Sequence, residues 1–203
     1  MPGATTRATR SDGERSRRAI LHAAARLATT HGLDRLSIAD LASHAGMSKS
    51  GLYAHFGSKE ELQLATIDTA EEMFEAAVLA PARRVAPGRD GLVALSDAFI
   101  AHLRNRVFPG GCFFDSVAAE LQSRPGPVRD RIAAFQAGWQ ALIHDHLAAA
   151  RDAGDLPSDA DLDQLTFDVN AYLAMAHSLF TFTGDERALE WAARAVRTRL
   201  GAS

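Results

Sequence analysis

The sequence predicts an all-α protein of about nine helices, with a small N-terminal unit of three helices followed by a larger helical body. Three observations lead to this prediction. Apolar residues recur at the 3.6-residue spacing of a helix face, Gly and Pro residues interrupt that spacing at short intervals, and no segment shows the strict alternation of a strand. A chain of 203 residues with 47% hydrophobic residues can bury a core without a metal or a disulfide.

The first helix is expected to begin near Glu14, because residues 1–13 are rich in Thr, Gly and Arg and show no apolar periodicity. We therefore predict a disordered basic arm over residues 1–13. From Glu14 to Thr30, apolar residues such as Ile20 and Ala24 recur on one helix face, and Gly32 supplies the stop.

Two short helices follow. Ser37 and Asp40 form a capping-box pattern at the start of the second helix, Gly46 lies in the turn after it, and Ser48 can cap the third. Leu52 and Phe56, four residues apart, give the third helix one apolar side. Three short helices with a glycine-containing turn predict a helix-turn-helix.

The second helix of such a pair enters the major groove of DNA and places its N-terminal residues nearest the base edges. Residues 1–60 hold nine Lys and Arg against five Asp and Glu, a balance of +4, whereas residues 61–203 balance at −7. A basic head on an acidic body favours a polyanionic partner for the head alone. The candidate DNA contacts are Ser48, Lys49, Ser50, Gly51, Tyr53, His55 and Lys59.

The stretch LSIADLASHAGMSKSGLYAHFGSKEEL, residues 36–62, resembles the DNA-binding pattern of the TetR family of bacterial regulators. The resemblance covers residues 14–62, which we take as the DNA-binding domain, and implies that Ser37, Tyr53 and Lys59 contact phosphates. It also implies that Lys49, Ser50 and Gly51 face bases, although many members carry Thr, Ser or Ala where this chain has Gly51. Tyr53 could instead pack between helices, and His55 could be an exposed residue at a helix end.

Residues 63–203 would then form the effector-binding and dimerisation domain. Apolar spacing and the FPGG, RPGP, AGDLPS and TGD breaks predict helices over 58–80, 90–107, 113–122, 126–153, 159–183 and 185–200. The segment PGGCFF, residues 109–114, resembles a GCFF-type stretch in one subgroup of the family. Cys112 in that segment is the single cysteine; it could sense oxidants, but the sequence around it favours a packing role.

The helix predicted over 159–183 has two apolar faces, and two faces need two partners. Leu162, Leu165, Val169, Leu173, Ala176 and Phe180 form a stripe that suits the core of the body. The second face and the last helix predict a homodimer through a four-helix bundle, and a helix fully buried in a monomer is the alternative. The predicted dimer residues are Phe167, Ala171, Ala174, Ser178, Leu189, Ala192 and Val196.

The family resemblance also implies an effector pocket in the middle of the body. Large aromatic residues with a few polar groups suit a small, moderately apolar molecule, although such stripes also serve as packing. The pocket candidates are Phe99, His102, Leu103, Phe113, Phe114, Val117, Trp139, Ile143, Asn170, Tyr172 and His177.

Other classes of function lack support in the sequence. His144 and His146 lie about 200° apart on a helix and cannot bind one ion from the same face, so no metal site and no cofactor is predicted. No GxSxG, HExxH or glycine-rich phosphate loop marks an enzyme. The short, interrupted apolar runs exclude a membrane-spanning helix, and we expect a cytoplasmic protein.

Two hypotheses remain. The first is a ligand-responsive, homodimeric repressor that binds double-stranded operator DNA, with an activator as the lesser variant. The second is an all-helical small-molecule-binding protein or enzyme that has lost its DNA role. The basic balance of residues 1–60 favours the first.

Overall fold

The computed structural model describes residues 5–37, 41–43, 48 and 55–202, and within these ranges every regular element is helical. The all-α prediction is therefore confirmed over this part of the chain. No helix in the described ranges is long and apolar enough to cross a membrane. The main helices are α1 (Thr5–His31), α2 (Lys59–Phe74), α3 (Arg89–Arg104), α4 (Phe113–Leu121), α5 (Pro127–Asp152), α6 (Leu162–Thr183) and α7 (Arg187–Leu200).

Helix α1 begins at Thr5 and not near Glu14, so the predicted disordered arm is wrong for residues 5–13. The physical reason is that no proline lies between Thr5 and His31, and a helix already nucleated gains one backbone hydrogen bond for each residue added. Residues 1–4 lie outside the described ranges. The stop at Gly32, with φ of 88°, agrees with the sequence.

Helix α2 links the head to the body. The Ser58 side chain caps its start by accepting from the Glu61 N–H at 3.0 Å, and the Glu61 carboxylate accepts from the Gly57 N–H at 2.9 Å. After Phe74 the helix widens into a π-helical stretch, Glu75–Leu79, and then ends with a last turn, Ala80–Ala82. The widening comes directly before Pro81, whose missing N–H leaves a carbonyl in the preceding turn without its usual donor.

Helices α6 and α7 form an antiparallel pair, because the short turn between them passes through Gly184 at a φ of 73°. Helix α7 is tied to α3 by Arg197 and Asp97 at 2.6 Å, and to α6 by Arg199 and Asp168 at 2.8 Å. The predicted core stripe of α6, from Leu162 to Phe180, is buried at each of its six positions.

The dimer prediction needs a correction at α7. Leu189, Ala192 and Val196 are buried in the core of the protomer, with at most 5% of any side chain exposed. The α7 helix is amphipathic, and its apolar side packs against α6 and α3 instead of a second subunit. These three residues therefore do not lie on a surface that a partner could contact.

Candidate nucleic-acid interface and ligand cavity

The predicted DNA contacts divide into two groups. Lys49, Ser50, Gly51 and Tyr53 lie outside the described residues. The others lie at the surface of the head: Ser48 is exposed, Ser37 and His55 are half-buried, and 52% of the Lys59 side chain is exposed.

Phe56 anchors the end of the predicted recognition helix. Its side chain is 1% exposed, and the Arg17 guanidinium of α1 lies 4.9 Å from the centre of its ring. The backbone N–H of Leu41 donates to the Ser37 carbonyl at 3.1 Å, and Leu41 is buried with Phe56 in the same core. Helix α1 thus holds the described ends of the helix-turn-helix by apolar packing.

Lys59 is held by Asp34 in the loop after α1. The Lys59 Nζ lies 3.0 Å from the Asp34 carboxylate, which also pairs with Arg124 from the loop after α4. Hydrogen bonds from Lys59 and then Arg124 lower the pKa of Asp34 below its usual value. Arg124 therefore connects the body to the same carboxylate that positions a predicted phosphate contact.

Helix α4 grips the loop after α1. The Glu120 carboxylate accepts hydrogen bonds from the backbone N–H groups of Leu33 at 2.7 Å and Asp34 at 2.9 Å. On α2, the Gln63 side chain donates to the Leu33 carbonyl at 3.2 Å. The loop that follows α1 is therefore held from both α2 and α4.

The turn before α4 makes a second contact with α1. The Gly110 N–H donates to the Thr29 hydroxyl at 3.0 Å, and Arg26 donates to the Val107 carbonyl at 2.6 Å. A Cβ atom on Gly110 would lie 1.9 Å from the Thr29 carbonyl oxygen, so a glycine is needed for this approach.

Inside the body, aromatic rings surround a small space that we call the aromatic cavity. The ring of Phe74 meets the rings of Phe99, Phe114, Phe135 and Trp139 at centroid distances between 5.2 and 6.3 Å, mostly edge to face. The cavity volume is about 20 Å³, room for one water molecule. Its lining is Phe74, Phe99, Cys112, Phe114, Asp115, Phe135, Gln136, Trp139, Asn170, Leu173 and Ala174.

A larger opening, which we call the α4–α5 cleft, lies beside the aromatic cavity. Its volume is about 420 Å³. The cleft and the cavity share Asp115, Gln136 and Ala174 as lining, so these side chains form the boundary between them. The remaining lining of the cleft is Ala118, Ala119, Leu121, Gln122, Arg129, Ile132, Ala133 and His177.

Several polar side chains lie at this boundary and beside it. The Asp115 carboxylate lies 3.4 Å from Nδ1 of His177, while Nε2 of His177 is buried and has no hydrogen-bond partner among the described residues. Burial raises the pKa of Asp115, and the nearby His177 opposes that rise. Asn170 accepts a hydrogen bond from the Trp139 indole N–H at 3.1 Å, which orients the indole ring.

The predicted pocket residues occupy three kinds of position. Phe99, Phe114, Trp139 and Asn170 line the aromatic cavity, and His177 lines the α4–α5 cleft. Others are buried in the core outside both linings, namely His102, Leu103, Phe113, Val117 and Ile143. Tyr172 faces a separate surface hollow with Trp191.

Sequence reasoning missed Phe74, Cys112, Asp115, Phe135 and Gln136 as lining residues. Asp115 carries a signal in the sequence, since it is a carboxylate placed directly after the apolar run CFF. The Cys112 side chain is 2% exposed, and burial raises the pKa of its thiol well above the usual value. A thiol held in its neutral form is a poor nucleophile, in keeping with a packing role.

The outer surface of α6 and α7 exposes large apolar side chains. Phe167 is 68% exposed, Met175 58%, Phe182 91% and Trp191 52%. Of the other predicted dimer residues on α6, Ser178 is exposed and Ala171 is half-buried, whereas Ala174 faces the cavity boundary. We call the exposed set Phe167, Met175, Leu179, Phe182 and Trp191 the α6–α7 face.

Comparison with known proteins gives consistent matches. Residues 20–66 match the family model "Bacterial regulatory proteins, tetR family", and residues 88–196 match "Tetracyclin repressor-like, C-terminal domain". The HTH-type transcriptional repressor ComR of Escherichia coli (strain K12) is 26% identical over 160 residues, which cover 77% of this chain and 75% of ComR.

Solved structures share the fold. A TetR transcriptional regulator from Chloroflexus aurantiacus J-10-FL has a TM-score of 0.87 at 25% identity, covering 94% of this chain and 96% of its own. AibR in complex with isovaleryl coenzyme A and operator DNA has a TM-score of 0.72 at 23% identity, covering 90% and 97%. The C-terminal family model alone spans more than half of the chain, and the chain therefore belongs to the TetR family of bacterial transcriptional regulators.

Proposed function

We propose that the protein is a homodimeric repressor that binds a pseudo-palindromic operator and leaves it when a small effector binds in the body. The observation that carries the proposal is the match of residues 20–66 to the family model "Bacterial regulatory proteins, tetR family", which spans the whole of the LSIADLASHAGMSKSGLYAHFGSKEEL stretch. The name of ComR, a repressor, supports repression over activation. In this role the protein would act on DNA and would catalyse no reaction. It would work in the cytoplasm.

The proposed DNA contacts combine base and phosphate groups. Lys49, Ser50 and Gly51 face base edges, and Ser37, Tyr53 and Lys59 hold the phosphate backbone. The pair between Lys59 and Asp34 is largely exposed, with side chains 52% and 39% accessible. An exposed ion pair contributes only about 0–1 kcal/mol, so Lys59 can exchange it for a phosphate at little cost.

The α6–α7 face supports the homodimer. Several large apolar side chains on one side of two adjacent helices are typical of a protein interface. Pairing this face with its copy would form a four-helix bundle from α6 and α7 of each subunit. The two heads would then contact half-sites separated by about 10 base pairs or a multiple of that spacing.

Helices α2 and α4 provide the route from effector to DNA. Phe74 lines the aromatic cavity from the end of α2, and Lys59 lies at the start of the same helix. Helix α4 lines the cavity with Asp115 and holds the head loop with Glu120. An effector that favours one arrangement of these helices over another would change the separation of the two heads by its differential affinity.

The test is fluorescence anisotropy with labelled DNA from upstream of the protein's own gene, across a salt series. We expect specific, salt-dependent binding that the Lys49→Ala/Tyr53→Ala variant loses. Arg84→Ala is the matched control, since this exposed basic residue lies in the body beyond α2. Weak binding that is equal for any DNA and unaffected by Lys49→Ala/Tyr53→Ala, persisting across genomic fragments, would contradict the proposal.

A further inference from the structure

The aromatic cavity combines several aromatic rings with a single charge. Within the described part of the chain, its lining contains one carboxylate, Asp115, and no lysine or arginine. We propose that the effector is a small organic cation, a protonated amine on an apolar body, whose nitrogen binds among these rings beside Asp115. This inference rests on the proposed effector-binding role of the body and names the chemical class of the ligand.

Aromatic rings from several helices line the cavity. Phe74, Phe114, Phe135 and Trp139 come from three different helices and line one small space, in which Phe114 and Phe135 stack face to face on each other. Aromatic faces attract cations through the ring quadrupole, most strongly for tryptophan and in a site shielded from water. The hydrogen bond from Trp139 to Asn170 fixes the indole in place, so this ring is oriented before any ligand binds.

Asp115 provides the carboxylate in the cavity lining. In the described part of the chain, its ion-pair partner is the imidazole of His177, at 3.4 Å, and no guanidinium or ammonium group lies within salt-bridge distance of it. Desolvation raises the pKa of Asp115, whose side chain is 32% exposed, and the nearby His177 opposes that rise, so His177 compensates the ionised carboxylate only in part. A ligand cation would compensate that charge, whereas a ligand anion would add a second negative charge.

His177 supplies an independent observation. The residue is 9% exposed and lines the α4–α5 cleft, and within the part of the chain that the structure describes its buried Nε2 atom has no hydrogen-bond partner. Buried polar atoms without a partner are rare, and each costs about 1–3 kcal/mol. The Nε2 atom lies against Gly111, while Nδ1 faces Asp115, so His177 contacts the carboxylate that lines both spaces.

A ligand can reach the aromatic cavity from the α4–α5 cleft, through the residues that line both spaces. A ligand enters the 420 Å³ cleft and reaches the rings by displacing the Gln136 side chain, since Gln136, Asp115 and Ala174 separate the two spaces. The cavity, at about 20 Å³, is closed to any organic molecule until this displacement occurs. Asp115, at the boundary of the two spaces, lies on α4, the helix that also holds the head loop through Glu120.

Isothermal titration calorimetry with three matched probes tests the ligand class. N,N-dimethylphenethylamine is a cation at pH 7, isoamylbenzene is its neutral carbon isostere, and 3-phenylpropanoate is an anion of similar length. We expect the amine to bind at least about tenfold more tightly than either of the others. Equal or tighter binding of the isostere or the anion, or no binding of the amine at millimolar concentration, would overturn the proposal.

Variants at Asp115 distinguish an effect of its charge on amine binding from an effect on the folding of the protein. We expect Asp115→Asn to weaken amine binding about tenfold and leave isoamylbenzene binding unchanged, while Asp115→Glu keeps the preference for the amine. Asp145→Asn, in the cleft between α2 and α5, is the matched control and should change neither. An equal loss for both probes in Asp115→Asn would contradict a role for its charge.

Operator binding is measured on the same proteins without any probe. If the operator is bound but the amine shows no preference, this inference fails and the proposed function stands. If the amine binds as expected but no DNA is bound specifically, the proposed function fails instead.

Discussion

His102 is buried among aromatic rings, and over the described ranges of the chain neither of its ring nitrogens has a hydrogen-bond partner. Its imidazole packs against Phe74 at 5.5 Å and Phe108 at 5.4 Å between ring centroids. Burial, and then repulsion from His177, lowers the pKa of His102 to about 4. A neutral imidazole in such a place acts as a packing group. At low pH it lowers the stability of the folded state, because the buried ring disfavours protonation.

The buried His102 therefore predicts that the folded state becomes less stable as the pH falls. The folded pKa lies below the value of 6.5 for the unfolded chain, so below pH 6.5 the unfolded state binds a proton that the folded state does not. The free energy of unfolding therefore decreases as the pH falls from 6.5 toward 4, by about 2 kcal/mol at pH 5 and about 3 kcal/mol at pH 4.

We expect His102→Leu to remove this part of the acid sensitivity. Urea denaturation at pH 7 and pH 5 measures it: the variant should lose less unfolding free energy than the parent, by about 2 kcal/mol. His146, whose pKa burial also lowers, should keep a residual acid sensitivity in the variant. His144→Gln, at a half-buried position whose side chain is 42% exposed, is the control, and an identical pH dependence in parent and His102→Leu would show that His102 already titrates normally.

At the scale of elements, α4 and the turn before it connect the aromatic cavity with the head. Gly111 lies against His177, such that a Cβ atom would come within 2.2 Å of its Nε2, and Gly110 lies against Thr29 of α1. The same short segment therefore contacts the cavity boundary and the DNA-binding head. Two predictions test its contacts with the head.

The first concerns the close approach at Gly110. We expect Gly110→Ala to destabilise the protein by about 2 kcal/mol or more, because the new methyl group collides with the Thr29 backbone. Gly138→Ala is the matched control on α5, where a Cβ meets no atom within 4 Å, and should stabilise by about 0.5–1 kcal/mol. Thermal unfolding of both variants measures the difference, and equal melting temperatures would contradict the contact.

The second concerns the carboxylate that holds the loop after α1. We expect Glu120→Gln to destabilise this contact by about 1–3 kcal/mol, because the amide offers one acceptor oxygen in place of two. Hydrogen exchange at the Leu33 and Asp34 amides should accelerate accordingly. Glu72→Gln, at an exposed position of α2, should leave that exchange unchanged. Slow exchange retained in Glu120→Gln would mean that the loop is held by other contacts.

At the scale of the whole molecule, the α6–α7 face exposes several large apolar side chains to solvent. Phe182 is 91% exposed and Phe167 68%, on a helix whose opposite side is fully packed. Exposure of that extent favours an interface, and the proposed dimer depends on it.

We expect Phe167→Arg to raise the dimer dissociation constant about 100-fold or more, because a charge would enter the centre of an apolar interface. Analytical ultracentrifugation measures the assembly, and operator affinity should fall with it. Val85→Arg is the control, since this exposed apolar residue lies away from α6 and α7. A monomeric parent protein, or a variant that dimerises equally well, would contradict the proposed interface.

The sequence predicted the elements more accurately than it predicted the site. Helix periodicity and Gly or Pro breaks placed the body helices within a few residues, because these signals act locally along the chain. Phe74 and Phe135 were missed as cavity residues, since each looks like ordinary core packing on its own helix. The small residues of α6 were assigned to one face, yet Ala174 lies at the cavity boundary while Phe167 is exposed.

The sequence by itself determined the helical class, the helix-turn-helix pattern and the basic head, because spacing, capping and charge are properties of neighbouring residues. Only the tertiary structure decided which apolar faces are covered, as the buried side of α7 and the exposed α6–α7 face demonstrate. It also decided that Asp115 shares a cavity with rings from other helices. Burial and electrostatic environment depend on residues far apart in the chain, and only packing brings those residues together.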